Sequence, residues 1–197
     1  MNDHRHQFRR RPIRLPEYDY TQAGAYFITL CTYKRKFLFG NVVDSEMRLN
    51  QAGQLVLAEW LALPRHYPHV SLDVFVVMPN HVHGIVILLH PQDVRTTAGA
   101  GSISIRMHGL SEIVRALKTF SARRINASRS TSGTPLWQRG YYEHIIRTEE
   151  SLNRIREYVV NNPIQWEYDR ENPFAADPKP NTGAPSKTGP ADEPWRV

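Results

Sequence analysis

The sequence predicts an α+β domain built on one antiparallel sheet, and three observations lead there. Short runs rich in β-branched and aromatic residues, such as "AYFITLCTYK" and "VSLDVFVVM", alternate with longer stretches of helical spacing. Two of the strand-like runs are separated only by "PN", too short a link to cross over to a parallel partner, so they pair as a hairpin. A chain of 197 residues that is 41% hydrophobic can form one core of ordinary size with tails.

Taken in order, residues 1–17 hold five arginines and two prolines and read as a flexible basic arm. The first strand is expected over 25–34. "NQAGQLVLAEWLALPRHY", 50–67, reads as a helix capped by Asn50, with Leu55, Val56, Trp60 and Leu63 at helical spacing. Strands follow over 70–78 and 81–89. Residues 90–109 are a polar, Gly-containing linker; its "AGAGSIS" lacks the lysine of a P-loop and the third glycine of a dinucleotide loop. "SEIVRALKTFSARRIN", 111–126, is a second helix with an apolar stripe of Ile113, Val114, Leu117 and Phe120. "PLWQRGYYEHIIRT", 135–148, reads as an irregular strand. Thr148 caps a last helix, with Glu149 and Glu150 in its first turn, that stops before Pro163. The order βαββαβ is the ferredoxin-like arrangement, with helices on one face of the sheet and an added C-terminal helix. The organisation expected is an arm over 1–17, a domain over 18–168, and a Pro-rich, unordered tail over 169–197.

A formal charge of +6 and a pI of about 9.6 suit an anionic partner such as nucleic acid. Cys31 is the single cysteine, which excludes an internal disulfide framework and suits a reducing cytoplasm; its plain reading is a small buried hydrophobe. The N-terminal stretch has no apolar core of a signal peptide, and no apolar run is long enough to cross a membrane. A cytoplasmic location is the expectation.

"VVMPNHVHGIVILL" sets His81 and His83 one residue apart in an apolar strand, so both point the same way. They are either two satisfied core histidines or two ligands for one metal ion. On the last helix Tyr158 and Asn162 stand four apart and share a face, at the edge of the stripe made by Leu152, Ile155 and Val159. If that helix crosses the sheet face bearing the histidines, all four groups converge. A tyrosine there is either a nucleophile or a helix-edge ring reaching water. The basic residues of the second helix, Arg115, Lys118, Arg123 and Arg124, are by default a solvated face. No His-Glu-x-x-His, paired cysteines or Gly-x-Ser-x-Gly elbow occurs.

"MPNHVHGIV" followed by "REYVVNNPIQW" resembles the HUH single-tyrosine transposases, in particular the REP-associated tyrosine transposases of the IS200/IS605-like group. The stretch "LWQRGYYEHIIRTEESLNRIREYVVNNP" is similar to the block before that family's tyrosine, and "AYFITLCTYKRKFLF" to its N-terminal part. The resemblance spans about residues 15 to 168. It implies that His81 and His83 hold a divalent metal, Mg²⁺ or Mn²⁺. It implies that Tyr158 is the nucleophile on a catalytic C-terminal helix, and that Asn162 sits where related enzymes carry a third ligand. Tyr168, Tyr141 and Tyr142 lack the spacing to "NNP".

The resemblance further implies a homodimer acting on hairpin-forming single-stranded DNA such as REP-like elements, with no membrane partner. Tyr158 would attack a backbone phosphorus and leave a 5′-phosphotyrosine, so rejoining needs no ATP. Arg115, Lys118, Arg123, Arg124 and the arm residues Arg9, Arg10 and Arg11 would contact phosphates, and Trp137, Tyr141 and Tyr142 are candidates to stack bases, though each also reads as core or strand packing. Two rival classes stay open: a single-strand-binding module without catalysis, and a metal-dependent phosphohydrolase using water.

Overall fold

Asn50 starts the first long helix: its side-chain oxygen accepts from the Gly53 N–H at 3.1 Å, which satisfies a donor the helix itself cannot. The structure, a computed structural model, describes residues 18–94, 106–169 and 171–175. The arm residues Arg9, Arg10 and Arg11 lie outside them. The elements are β1 (Gly24–Cys31), β2 (Gly40–Val43), β3 (Glu46–Leu49), α1 (Gln51–His66), β4 (Val70–Val77), β5 (His81–Leu88), α2 (Leu110–Ser128), β6 (Tyr142–Ile146) and α3 (Glu149–Asn161). The main sheet has the order β4-β5-β1-β6, antiparallel throughout. That is the predicted ferredoxin-like sheet, with β4–β5 as the predicted hairpin.

Strand alternation divides the side chains between two faces. Tyr26, Ile28 and Leu30 of β1, with Val82, Val86 and Leu88 of β5, pack against Val56, Trp60 and Leu63 of α1 and Ile113, Val114 and Leu117 of α2. Phe27 and Ile85 point the other way, where Ile146 joins them beneath Ile155 and Val159 of α3. Thus α1 and α2 share one face and α3 covers the other. Arg156 clamps α3 to the edge strand β4: its Nη2 and Nε reach the Asp73 carboxylate at 2.6 and 3.1 Å. This guanidinium holds Asp73 below the usual carboxylate range. The clamp's contribution to stability is therefore full above about pH 3.9 and is lost as pH falls through the lower folded value.

Trp60 stacks flat on Phe75, ring centroids 4.2 Å apart, over the backbone of Gly84. A Cβ at Gly84 would lie 2.7 Å from Phe75 Cδ2 and 2.8 Å from Trp60 Cη2. Gly84→Ala is expected to cost about 1–3 kcal/mol, read as a lower urea midpoint with an unchanged slope.

Several expectations shift. The first strand ends at Cys31, because Tyr33–Arg35 turns away with Lys34 and Arg35 at φ of 57° and 52°. The hairpin β2–β3 was not foreseen; its turn places Asp44 and Ser45 at positive φ, which Asp tolerates better than most residues. The strand expected over 135–148 shortens to β6; Trp137, 7% exposed, makes one bridge to Thr32 and donates its indole N–H to Ser121 Oγ. Phe120 does not complete the α2 stripe. It is 42% exposed, and Ser121 faces inward instead, donating to the Leu117 carbonyl at 2.6 Å. The packed chain also continues past 168, since Asp169, Glu171 and Asn172 are buried. No helix among the described residues is long and apolar enough to cross a membrane.

Candidate active site

His81 opens β5 and His83 follows on the same face, their ring centroids 4.5 Å apart and both essentially buried. Asn80 sets the tautomer of His81. Its Nδ2 donates to the carbonyls of Glu171 (2.6 Å) and Arg35 (3.4 Å), so its Oδ1 accepts from His81 Nδ1 at 2.9 Å. His81 Nε2 is then a lone pair. It is buried, makes no hydrogen bond, and lies 3.9 Å from Asp169 Oδ2. Burial holds the His81 imidazole below its ordinary value against the pull of Asp169 and Glu171, so the ring is neutral at pH 7. The unfolded ring protonates first, so stability from this source is complete above about pH 6.5 and declines below it.

His83 stacks on Phe27 with centroids 5.4 Å apart, and its Nδ1 is 2.8 Å from Thr29 Oγ1 on the paired strand β1. Its Nε2 is 3.3 Å from the Tyr158 hydroxyl. Tyr158 reaches this point because Ile155 and Val159 seat α3 on the same sheet face. Asn162, one turn on, is 1% exposed; its Nδ2 donates to Asp169 Oδ2 at 2.9 Å, and its Oδ1 has no hydrogen-bond partner. The predicted convergence of His81, His83, Tyr158 and Asn162 is therefore present.

Asp169 is the member the sequence reading missed. After α3 the chain turns through Trp166–Tyr168 and brings this carboxylate back over the end of β5. His81, His83 and Asp169 each offer a ligand atom within 4.8 Å of the others, a cluster compatible with a metal ion. The donor set fits a divalent cation on its chemistry: two imidazoles, a carboxylate, and two buried atoms, His81 Nε2 and Asn162 Oδ1, that lack partners in the protein. The only sequence signal was an acid just beyond "IQWEY", with no spacing to the histidines.

The basic residues of α2 stand elsewhere. α2 packs on the face opposite the histidines, so none of its cations reaches this cluster across the sheet. Arg115 and Arg123 are exposed, and Arg124 pairs with Glu59 at 2.5 Å. Lys118 is turned inward: its ammonium donates to the carbonyls of Gln138, Arg139 and Gly140 at 2.6, 3.2 and 3.2 Å. That spends its donors on the loop before β6 and leaves little for a phosphate. Cys31 is no nucleophile; burial pushes its thiol up to about 12, and it donates to Glu171 at 3.1 Å. Tyr168 points to solvent, 58% exposed.

Residues 102–162, from the approach to α2 through Tyr158 to Asn162, match the family model described as "Transposase IS200 like". An uncharacterized protein of Haemophilus influenzae is 39% identical over 171 residues, covering 82% of this chain and 92% of its own length. The chain belongs to the IS200-like transposase family. A second Haemophilus influenzae protein, designated a candidate REP-associated tyrosine transposase, is 24% identical over 152 residues, 76% of each chain. In fold, the chain is similar to the solved structure of a REP-associated tyrosine transposase bound to a REP hairpin. The TM-score is 0.52 at 21% identity, covering 77% of this chain and 74% of that one.

Proposed function

We propose that this protein cleaves and rejoins hairpin-containing single-stranded DNA through a 5′-phosphotyrosine on Tyr158, assisted by Mg²⁺ or Mn²⁺. One observation carries the reading: the Tyr158 hydroxyl lies 3.3 Å from His83 Nε2, within the cluster completed by His81 and Asp169. The tyrosine oxygen attacks a backbone phosphorus, one P–O bond forms, and the bond to the 3′ oxygen breaks. That oxygen leaves as a 3′-hydroxyl after taking a proton. The number of phosphodiester bonds is unchanged, so the reverse attack reseals the strand without an energy cofactor.

Within this reading, His81, His83 and Asp169 hold the cation and Asn162 lends its free oxygen. When bound, the cation neutralises charge on the non-bridging phosphate oxygens. Thr29 and Asn80 fix the ring orientations from behind, and Phe27 supports both His83 and Tyr158. Exposed Arg115, Arg123 and Arg124, with Arg9, Arg10 and Arg11, hold phosphates of the hairpin away from the cut. Coverage of the sheet by α3 weighs against an open-sheet binding module, whose strands present aromatics to bases.

The test is a denaturing gel of the protein with end-labelled single-stranded hairpins and Mn²⁺. A protein–DNA band resistant to denaturant, with release of a 3′-hydroxyl strand, is the expected result. Cleavage without an adduct selects the water-using phosphohydrolase, and binding with neither selects the binding module. The homodimer belongs to the same proposal, read by light scattering at micromolar concentration. A monomer with and without DNA would remove the dimer and leave the chemistry, since every residue of the cluster comes from one chain.

A further inference from the structure

The segment "YKRKF", Tyr33–Phe37, leaves β1 just past Cys31, the residue paired with His81. It sets two aromatic rings and two lysines in solvent beside the candidate active site. Tyr33 is 41% exposed and Phe37 40%. Lys34 and Lys36 are exposed as well, and among the described residues neither is paired with an acid.

The loop holds this display in a fixed and unusual conformation. Lys34 and Arg35 both occupy the left-handed region, which residues with a Cβ seldom adopt outside sites that need it. Thr32 Oγ1 donates to the Lys36 carbonyl at 2.8 Å, Tyr33 N to the Leu136 carbonyl at 2.7 Å, and Arg35 Nη1 pairs with Glu171 at 2.8 Å. Asn80, which donates to the Arg35 carbonyl, is the same residue that orients His81. The rings form a line toward the cluster: Phe174, 81% exposed, stands 5.8 Å from Phe37; Phe37 is 5.6 Å from Trp166; and Trp166 is 5.9 Å from His81.

Unpaired bases bind flat apolar faces, and the backbone between them binds cations. An aromatic–Lys–Arg–Lys–aromatic loop supplies both, and through Trp166 it stands beside His81. We infer that Tyr33–Phe37 is a single-strand platform. Tyr33 and Phe37 stack unpaired bases beside the scissile phosphate, and Lys34 and Lys36 hold the intervening phosphates. The inference rests on the strand-cleavage reading for its position in the reaction, and its test is a binding measurement.

The test uses full-length Tyr158→Phe protein in fluorescence anisotropy with two probes, a blunt DNA hairpin and the same hairpin carrying a single-stranded extension of about ten nucleotides. The extension is expected to tighten binding about tenfold or more. Adding Tyr33→Ala and Phe37→Ala should abolish that gain and leave blunt-hairpin binding as it was, while Phe37→Tyr retains it. Lys34→Ala with Lys36→Ala should lower the salt slope for the extended probe by about 1.4. If the aromatic double variant loses blunt-hairpin binding through misfolding, the lysine pair, exposed and outside the core, decides alone. The inference is overturned if the extension gives no gain, if the aromatic variant keeps the full gain, or if the lysine variant leaves the slope unchanged. Adduct formation by the wild type separates the two readings. An adduct with loop-independent binding removes the platform alone, whereas loop-dependent binding without any adduct removes the cleavage chemistry.

Discussion

Tyr158→Phe is expected to abolish strand cleavage and the covalent adduct together while leaving the fold and DNA binding in place. The substitution removes one oxygen and keeps the ring. That ring stands edge-on to Phe27 at 6.1 Å and 5.2 Å from His83, contacts that phenylalanine repeats. The hydroxyl is only part-buried, and its bond to His83 Nε2 is long at 3.3 Å, so water can replace it at a cost of about 1 kcal/mol or less. Without that oxygen nothing in the cluster attacks phosphorus, and the rate should fall by about four to six orders of magnitude, the scale for loss of a covalent nucleophile. Single-turnover cleavage of a labelled hairpin, with a melting curve as control, measures both. Cleavage at the wild-type rate would end the assignment of Tyr158 and direct attention to water or Tyr168.

The second large effect concerns the cation. His81→Ala with His83→Ala should remove measurable Mn²⁺ binding in calorimetry and slow cleavage by about 10²–10³, roughly 3–4 kcal/mol of lost electrostatic stabilisation. Asp169→Asn gives the sharper comparison. The new side chain keeps the shape of Asp169 and one acceptor oxygen, so the negative charge beside His81 Nε2 is lost together with one of two bonds, that from Asn162 Nδ2 or that from the Glu171 N–H; a melting curve serves as the control. Mn²⁺ affinity should drop about 10- to 100-fold, by analogy with the loss of a group that tunes a metal site. Asn162→Ala should have a smaller effect, since it removes a neutral oxygen. Equal Mn²⁺ affinity in wild type and the histidine double variant would overturn the metal assignment. An Asp169→Asn protein that binds as wild type would return the third ligand to Asn162. Acid should imitate the histidine variant: ligation needs neutral imidazoles, and because burial holds His81 below its ordinary value, binding weakens only as pH falls through that lowered value.

What the sequence determined about this protein is what one segment dictates to itself. Alternation along an extended strand put His81 and His83 on one face before any partner was known, and the helical repeat put Tyr158 above Asn162. The caps Asn50 and Thr148 were legible because their hydrogen bonds close within three residues. The two-residue link at Pro79–Asn80 allowed only a hairpin. Tertiary structure decided the rest, because burial and long-range pairing obey no local period. Asp169 joins His81 only because the chain doubles back after α3, and nothing in its neighbourhood marks the return. Phe120 fits the stripe of its helix, yet it lies at the rim against His66 at the end of α1 and stays exposed, and Ser121 is taken in with the Trp137 indole as its partner. Lys118 reads like the other cations of α2 until three carbonyls from the loop before β6 converge on it. The face on which α2 packs, away from the histidines, follows from the right-handed crossover of a strand–helix–strand unit and the apolar area available there, a property of the whole sheet.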